Sequence, residues 1–461
     1  MGHNFRPVER DQLYLMPVSL RDWLPPDDLV WCVLDAVAQI DLAPLRARYR
    51  PDGWGAAAYD PAMMTALLLY AYATGERSSR GIERRCRRDL GYRVLSAGAT
   101  PDHATIARFR ADHEAALSGL FGEVLRLCAR AGLGRLGLVA LDGTRIAANA
   151  SMRADRSAEA LDAEIARMLA EADATDAAED AAEAAGRGPD DPTGGVDGPL
   201  ADPRSRLARF EEARRQLAAE DAARVAEVEA QLARRAAREA ATGRRSGGQP
   251  PRADAVRRRT WDERNTTDPD ARRMKGAHGG WLTGYNAQAV VAKDGLVLAT
   301  GLTGQAADAP HLAPMLAAAE ANVARAGLRG SIGTLLADGG YRSEANLALE
   351  GPDTPRFLIA AGPARSRRPL DERMDRRLAR AGPRAAYRRR KVIAEPPFGH
   401  IKEVLRFRRF SRRGLAACAS EWTLVCTVHN LLKLWRYGAR TLPGAPGPST
   451  HGPWGSLPAT G

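Results

Sequence analysis

The chain has 461 residues and a net charge of +12, enough for two or three domains with cores of their own. Its five cysteines (Cys32, Cys86, Cys128, Cys418 and Cys426) show no paired or ligand spacing, which excludes a disulfide scaffold and suits small buried residues in a reducing compartment. The charged N-terminal stretch carries no secretory leader, and the longest apolar run, Ala62 to Thr74, is too short for a bilayer, so a cytoplasmic protein without membrane contact is expected.

Residues 1–132 read as helical. Leu29, Val33, Val37 and Ile40 recur at helical spacing, and Met63, Leu67, Leu68 and Ala71 do so again. Ser78 to Arg88 forms a basic helix, and Asp102 stands as the N-cap of a helix running through Arg110. A bundle with such faces suits DNA contact in a helix-turn-helix manner. Its arginines can equally be a solvated surface.

From Gly134 the texture changes. Leu136 to Leu141 predicts a buried strand that ends on Asp142-Gly143-Thr144, with a turn there and a second strand over Arg145 to Ala150. Residues 153–258 are rich in Ala, Glu and Arg. Leu161, Ile165, Met168 and Leu169 mark one helix, and Leu207, Phe210, Leu217, Val225, Val228 and Leu232 another. A loop over Gly186 to Pro203 separates them, and Gly243 to Arg252 returns the chain. The thin apolar stripe predicts a helical, coiled-coil hairpin that enters and leaves near one point and has no independent core. Gly284 to Val291 and Leu296 to Thr300 are strands joined by a turn at Lys293-Asp294-Gly295. A helix over Ala309 to Ala326 follows. Ile332 to Leu336 then runs into Asp338-Gly339, Phe357 to Ala360 is a further strand, and a last helix passes through Trp422 and Leu434. The Pro/Gly-rich residues 441–461 read as a disordered tail.

Between residues 371 and 413 there are 15 Lys/Arg against 5 Asp/Glu, a local surplus that points to a polyanionic partner. Glu395 sits inside it, either as a salt-bridge anchor or as a metal ligand placed where a polyanion would lie. Asp142 and Asp338 each close an apolar run and precede glycine. Singly, such an Asp-Gly is more often a turn. The order of strand-Asp, hairpin, helix, strand-Asp and helix-Glu is more restrictive, because hard cations take carboxylate ligands and two of them about 4 Å apart serve phosphoryl transfer. Asp268 and Asp270 read as turn residues and Trp422 as core. His400 and His429 lack a third ligand for zinc. Asn286 and Gln288 share a strand face, where they either bond to the aspartates or stabilise the sheet.

Leu141-Asp142-Gly143-Thr144, Thr267-Asp268-Pro269-Asp270-Ala271, Gly284-Tyr285-Asn286-Ala287-Gln288, Ala337-Asp338-Gly339-Gly340-Tyr341 and Glu395-Pro396-Pro397-Phe398-Gly399-His400-Ile401-Lys402 together resemble the DDE transposases of bacterial insertion sequences. Pro101 to Arg110 and Arg80-Gly81-Ile82-Glu83 extend the resemblance, which covers most of residues 5–437. Tyr387, Arg390, Glu395 and Lys402 are similar to the family's Tyr-Arg-Glu-Lys signature. The first two spacings depart from the commonest form by about one residue, and Gly339 stands where relatives often carry lysine.

The resemblance implies an α+β (mixed α/β) chain. It comprises a helical N-terminal DNA-binding domain over 1–132, an RNase H-like catalytic domain over 133–152 and 259–440, and a helical insertion over 153–258. It implies metal-dependent DNA cleavage and strand transfer at transposon ends, with Asp142, Asp338 and Glu395 catalytic and holding two Mg²⁺ or Mn²⁺ ions. Water would attack the transposon end, and the freed 3′-hydroxyl would then attack target DNA. Tyr387, Arg390, Lys391, Lys402, Arg406, Arg408 and Arg409 would contact DNA. The implied partners are terminal inverted repeats and target DNA, bound by a homodimer that is nucleoid-associated when on DNA. The alternatives are a catalytically inactive or domesticated DNA-binding protein of the same fold, or a metal-dependent nuclease without strand transfer.

Overall fold

The structure is a computed structural model that describes residues 19–49, 57–184, 203–247, 249–250, 263–276, 279–361 and 368–441. It is a mixed α+β protein. Eight strands are present among these residues: β1 (Val139–Ala147), β2 (Asp155–Arg156), β3 (Arg264–Asn265), β4 (Arg272–Lys275), β5 (Trp281–Ala292), β6 (Val297–Thr303), β7 (Thr334–Ala337) and β8 (Arg356–Ile359). The main sheet runs β4-β5-β1-β7-β8, with β6 also on β5. β6, β5 and β1 are antiparallel neighbours, whereas β7 is parallel to β1 and β8 parallel to β7. That is the strand arrangement of an RNase H-like core. β5, paired with β1 on one side and with β4 and β6 on the other, is buried from Thr283 to Ala292, so its polar residues Asn286 and Gln288 must find partners inside the protein.

Successive strand residues point to opposite faces, so side-chain partners assign the covering helices. A Cβ on Gly301 would meet Met315 of the Leu312–Ala326 helix, while the neighbouring Thr300 hydroxyl bonds to Thr423 of the Leu415–Thr441 helix at 3.1 Å. One helix therefore covers each face. Trp422, fully buried, donates its indole N–H to the Gln288 carbonyl at 3.1 Å. The Gly295 turn joins β5 to β6 with φ of 81°, a left-handed conformation that suits glycine.

Helices Leu29–Ala38, Pro61–Ala73, Ser79–Arg88, Leu90–Leu95, His103–Asp112 and Glu114–Arg130 precede the sheet. Asp102 caps the fifth of these, accepting from the Thr105 amide at 2.9 Å. Their apolar faces join those of the sheet and the Leu415–Thr441 helix in one continuous hydrophobic core. Polar ties reinforce the join. The Tyr72 hydroxyl donates to Glu421 at 3.2 Å, and Arg77 donates to the Leu405 and Arg406 carbonyls at 3.0 and 3.1 Å. All five cysteines are buried free thiols. Among the described residues no helix is long and apolar enough to cross a membrane.

The insertion forms helices Ala158–Ala184 and Pro203–Thr242. Asp162 pairs with Arg214 at 2.6 Å and Glu164 with Arg206 at 2.8 Å, so the helices run antiparallel. Among the described residues Leu161, Phe210, Ala213 and Leu217 form the buried cluster between them. The chain enters and leaves through the β2–β3 ribbon, where Asp155 pairs with Asn265. The longer helix also docks on the core. Gln216 donates to Asp270 at 2.8 Å, and Arg272 pairs with Glu220 at 2.9 Å. The expected loop over Gly186 to Pro203, part of the return linker and nearly all of the tail lie outside the described residues.

One expectation needs correction. Asp142 does not end its strand and no turn follows it, because β1 continues through Ala147 with Gly143 opposite Gln288. A Cβ on Gly143 would collide with the Gln288 amide and stand 2.9 Å from Asn286 Oδ1. The glycine serves close approach within the sheet, not a turn. Asp268 does open a turn, as expected, its carbonyl accepting from the Ala271 amide at 3.1 Å. It is fully buried, accepting from the Tyr285 hydroxyl at 2.7 Å and the Gly414 amide at 3.1 Å, and burial raises its carboxyl above the usual range.

Candidate active site

β1 and β7 pair in parallel through Val139↔Leu335 and Ala140↔Leu336. Two residues further along the same register stand Asp142 and Asp338, level with one another beyond the end of β7. Neighbouring strands lie about 4.8 Å apart, so nearly two hundred residues of chain return to place two acids side by side. Asp338 begins the Gly339–Tyr341 turn, its Oδ1 accepting from the Gly340 amide at 2.8 Å. Asp142 Oδ1 accepts from the Gly143 amide at 2.9 Å, and Oδ2 pairs with Arg390 Nη1 at 2.7 Å. The side chains of that pair are only 17% and 13% exposed.

Burial raises the Asp142 carboxyl above the usual range. Arg390 and the Gly143 amide oppose the shift, and the charge of Asp338 adds to it. Burial works against the Arg390 charge, but Asp142, Tyr387 and Asp338 outweigh it and raise the guanidinium further. Half-buried Tyr387 lies beside Arg390. Its phenol is raised by burial and by Asp338, with Arg390 acting in the opposite direction.

Arg390 opens the Arg390–Gly399 helix, which contains Pro396 and Pro397 and passes into a π-turn over His400–Val404. The prolines remove two helical donors, and wide turns of this kind often occur at functional sites. Ile393, Ala394, Pro397, Phe398 and Ile401 face the core. Lys402 Nζ bonds to the Thr144 hydroxyl. Thr144 is two residues beyond Asp142 and therefore on the same face of β1. Burial lowers the Lys402 ammonium from its ordinary value, and the charge of Arg408 contributes.

The helix bearing Glu395 thus crosses the face of β1 from which Asp142 projects, anchored by Arg390 on one side and Lys402 on the other. Glu395 is exposed, as are Lys391, Val392 and Pro396. It makes no hydrogen bond or ion pair among the described residues, and no set of three or more His, Cys, Asp or Glu there stands in metal-holding geometry. The two strand aspartates therefore come together, while Glu395 stands about 7 Å along the helix from Arg390 with its side chain toward solvent.

The expected DNA contacts divide. Lys391 is exposed, Arg408 pairs with Glu403 at 2.5 Å, and Arg409 donates to the Ala148 and Ala150 carbonyls at 2.8 and 3.2 Å. Arg406 is exposed, with φ of 54°. The polar network behind the site was not anticipated. Asn286 and Gln288 bond to Asp308, at 2.8 and 2.9 Å, instead of to either strand aspartate. The Tyr341 hydroxyl donates to Gln288 Oε1. The only signal for Asp308 in the sequence is an isolated acid between alanines.

Two family models match the chain, one described as Transposase domain (DUF772) over residues 18–112 and one as Transposase DDE domain over residues 254–431. Together they span more than half of it. Asp338, Glu395 and Lys402 fall within the second match, and Asp142 falls between the two. No curated protein and no solved structure matches the chain. With two acids level on an RNase H-like sheet, a basic helix across them and both transposase models in order, the chain belongs to the DDE transposases of insertion sequences.

Proposed function

We propose that the protein cleaves transposon-end DNA and joins the freed 3′-hydroxyl to target DNA, with Asp142, Asp338 and Glu395 as the catalytic carboxylates. The observation that carries this reading is the level placement of Asp142 and Asp338 on adjacent parallel strands beneath the Arg390–Lys402 segment. The donor set is carboxylate oxygen only, which fits a hard divalent cation such as Mg²⁺ or Mn²⁺. Asp142 and Asp338 would hold it, with Glu395 joining from the helix. When bound, a pair of such ions activates the attacking oxygen and stabilises the leaving one.

The chain's own groups do the rest. Arg390 pairs with Asp142 in the absence of a cation and opposes the upward pull of burial on its carboxyl. Lys402, pinned to Thr144, carries its charge at the edge of the same face and suits a phosphate as a point charge. Lys391 offers a further exposed cation that positions the backbone without reading sequence. Assembly as a homodimer on paired transposon ends belongs to the same proposal.

The test compares Asp142→Asn and Glu395→Gln with Lys391→Ala. The first two should lose end cleavage by orders of magnitude while gel-shift affinity holds. The third should weaken affinity and leave the metal requirement unchanged. Cleavage by Asp142→Asn at the parent rate would refute the assignment. Cleavage of ends without joining to target would favour a nuclease lacking strand transfer.

A further inference from the structure

Asp308 precedes the Ala309–His311 turn, yet it forms no capping bond to it. Its carboxylate faces the sheet instead. Oδ1 accepts from Asn286 Nδ2 at 2.8 Å and from Gln288 Nε2 at 2.9 Å, and both amides are buried on β5. Oδ2 is left facing Gly340. A Cβ there would stand 3.0 Å from Asp308 Oδ2 and 3.0 Å from Asp338 Oδ1, so the two carboxylate oxygens are separated by no more than the sum of those distances. Gly340 is what allows the approach. Arg145 Nη2 stands 4.0 Å from Asp308 Oδ2 and gives its hydrogen bond to the Ala306 carbonyl at 2.9 Å.

Holding two amides requires an acceptor but not a charge. A neutral side chain would serve the sheet equally well and avoid repulsion with Asp338, so the sheet alone does not account for the negative charge. The network also reaches β1, the strand that carries the other aspartate. Asn286 is fully buried, and its Oδ1 has no hydrogen-bond partner among the described residues. That oxygen is directed at Gly143, the neighbour of Asp142. Burial, and then the charges of Asp308, Asp142 and Asp338, raise the Tyr341 phenol well above its ordinary value, which marks a shared negative potential over the turn.

We propose that Asp308 is a positioning residue of the site: fixed by Asn286 and Gln288, it holds negative charge against the Asp338 turn and strengthens the hold of that turn on a divalent cation. The inference rests on the reading of Asp142 and Asp338 as cation ligands. Asp308→Asn isolates the charge, because its Oδ1 still accepts both amides. Arg145→Gln changes the field in the opposite direction.

The experiment titrates the full chain with Mn²⁺ in the absence of DNA and reads free Mn²⁺ by electron paramagnetic resonance. Circular dichroism melts check that each variant is folded. Asp308→Asn should weaken Mn²⁺ binding about tenfold, the size of effect expected of one nearby charge, and Arg145→Gln should tighten it. Parent-like affinity in either variant overturns the proposal. Asp142→Asn in the same titration separates the two readings. If it weakens binding while Asp308→Asn does not, only the role of Asp308 fails, and if neither weakens it the ligand assignment fails with it.

Discussion

Acid should loosen the contact between the Glu395-bearing helix and the Leu415–Thr441 helix, and His429→Gln should remove about half of that sensitivity, leaving the share of His400. His400 and His429 meet Nδ1 to Nδ1 at 3.0 Å, and His429 Nε2 lies 3.1 Å from the Gly295 carbonyl. A carbonyl only accepts, so His429 carries its proton on Nε2 and its Nδ1 is bare. His400 must then donate from Nδ1, which leaves its buried Nε2 without a partner. A proton added to His429 would set two N–H groups against each other. Burial lowers His429 to about 3 and His400 to about 4, and the nearby charges of Lys433 and Arg436 act in the same direction. The unfolded chain therefore takes up protons near pH 6.5 that the folded chain refuses. Stability is full above that value and falls as pH drops toward 4. Each pH unit below the unfolded value corresponds to about 1.4 kcal/mol per site, so His429 alone should remove about 2 kcal/mol between pH 6.5, where the unfolded imidazole is half protonated, and pH 4.5. Glutamine keeps a donor for Gly295 and does not titrate. Urea denaturation at pH 7.5, 5.5 and 4.5 would compare parent and variant. Equal losses in both would refute the tautomer assignment and the burial argument together.

Arg390→Met should cost about 3 kcal/mol in urea denaturation, because it strands a half-buried carboxylate; the loss should shrink in the Asp142→Asn background if the pair is the cause. Gly340→Ala should leave the melting temperature near that of the parent but reduce end cleavage about a hundredfold, since its Cβ would press on Asp308 and Asp338 at 3.0 Å each and displacements at a reacting centre have effects of that order. Glu220→Gln should loosen the insertion, because Glu220 pairs with both Arg264 and Arg272; limited proteolysis would then cut the 203–242 helix while the remainder stays resistant. Lys391→Ala should lower the salt dependence of duplex binding by about 0.9 in slope, measured by gel shift across a salt series.

Much of the sheet was legible because each long strand contains a short apolar run, Val139 to Leu141 in β1 and Ala289 to Ala292 in β5, and the β5–β6 turn carried its own glycine. Partnerships were not. Periodicity identified the buried faces of the early helices, but not that Leu117, Leu120 and Val124 share a core with Val428 and Leu431. Gly143 misled because a glycine after an acid suggests a turn, whereas here the requirement for glycine comes from Gln288, 145 residues later and across the register. Asp308 and the His400–His429 contact were hidden for the same reason: each acquires its meaning from residues that only the folded sheet and helices bring near.

The basic segment shows how this bears on function. Leu405, Phe407 and Phe410 are buried while Arg406, Arg408 and Arg409 are exposed, a pattern the sequence displays openly. The segment is nonetheless bound to the end of β1. The Phe410 amide donates to the Ala147 carbonyl at 2.9 Å, Arg409 holds Ala148 and Ala150, and Arg413 holds the Asn149 carbonyl at 3.0 Å. Arg412 pairs with Glu114. A count of cations therefore overstates what is free to meet a phosphate. Arg390 and Lys402 bond to Asp142 and Thr144 on β1, Arg409 and Arg413 fasten the end of that strand, Arg412 ties the segment to the Glu114–Arg130 helix, and Lys391 stands exposed beside Glu395. Charge that looked like one DNA-facing bed is thus divided between holding β1 and the early helices in place and reaching outward from them.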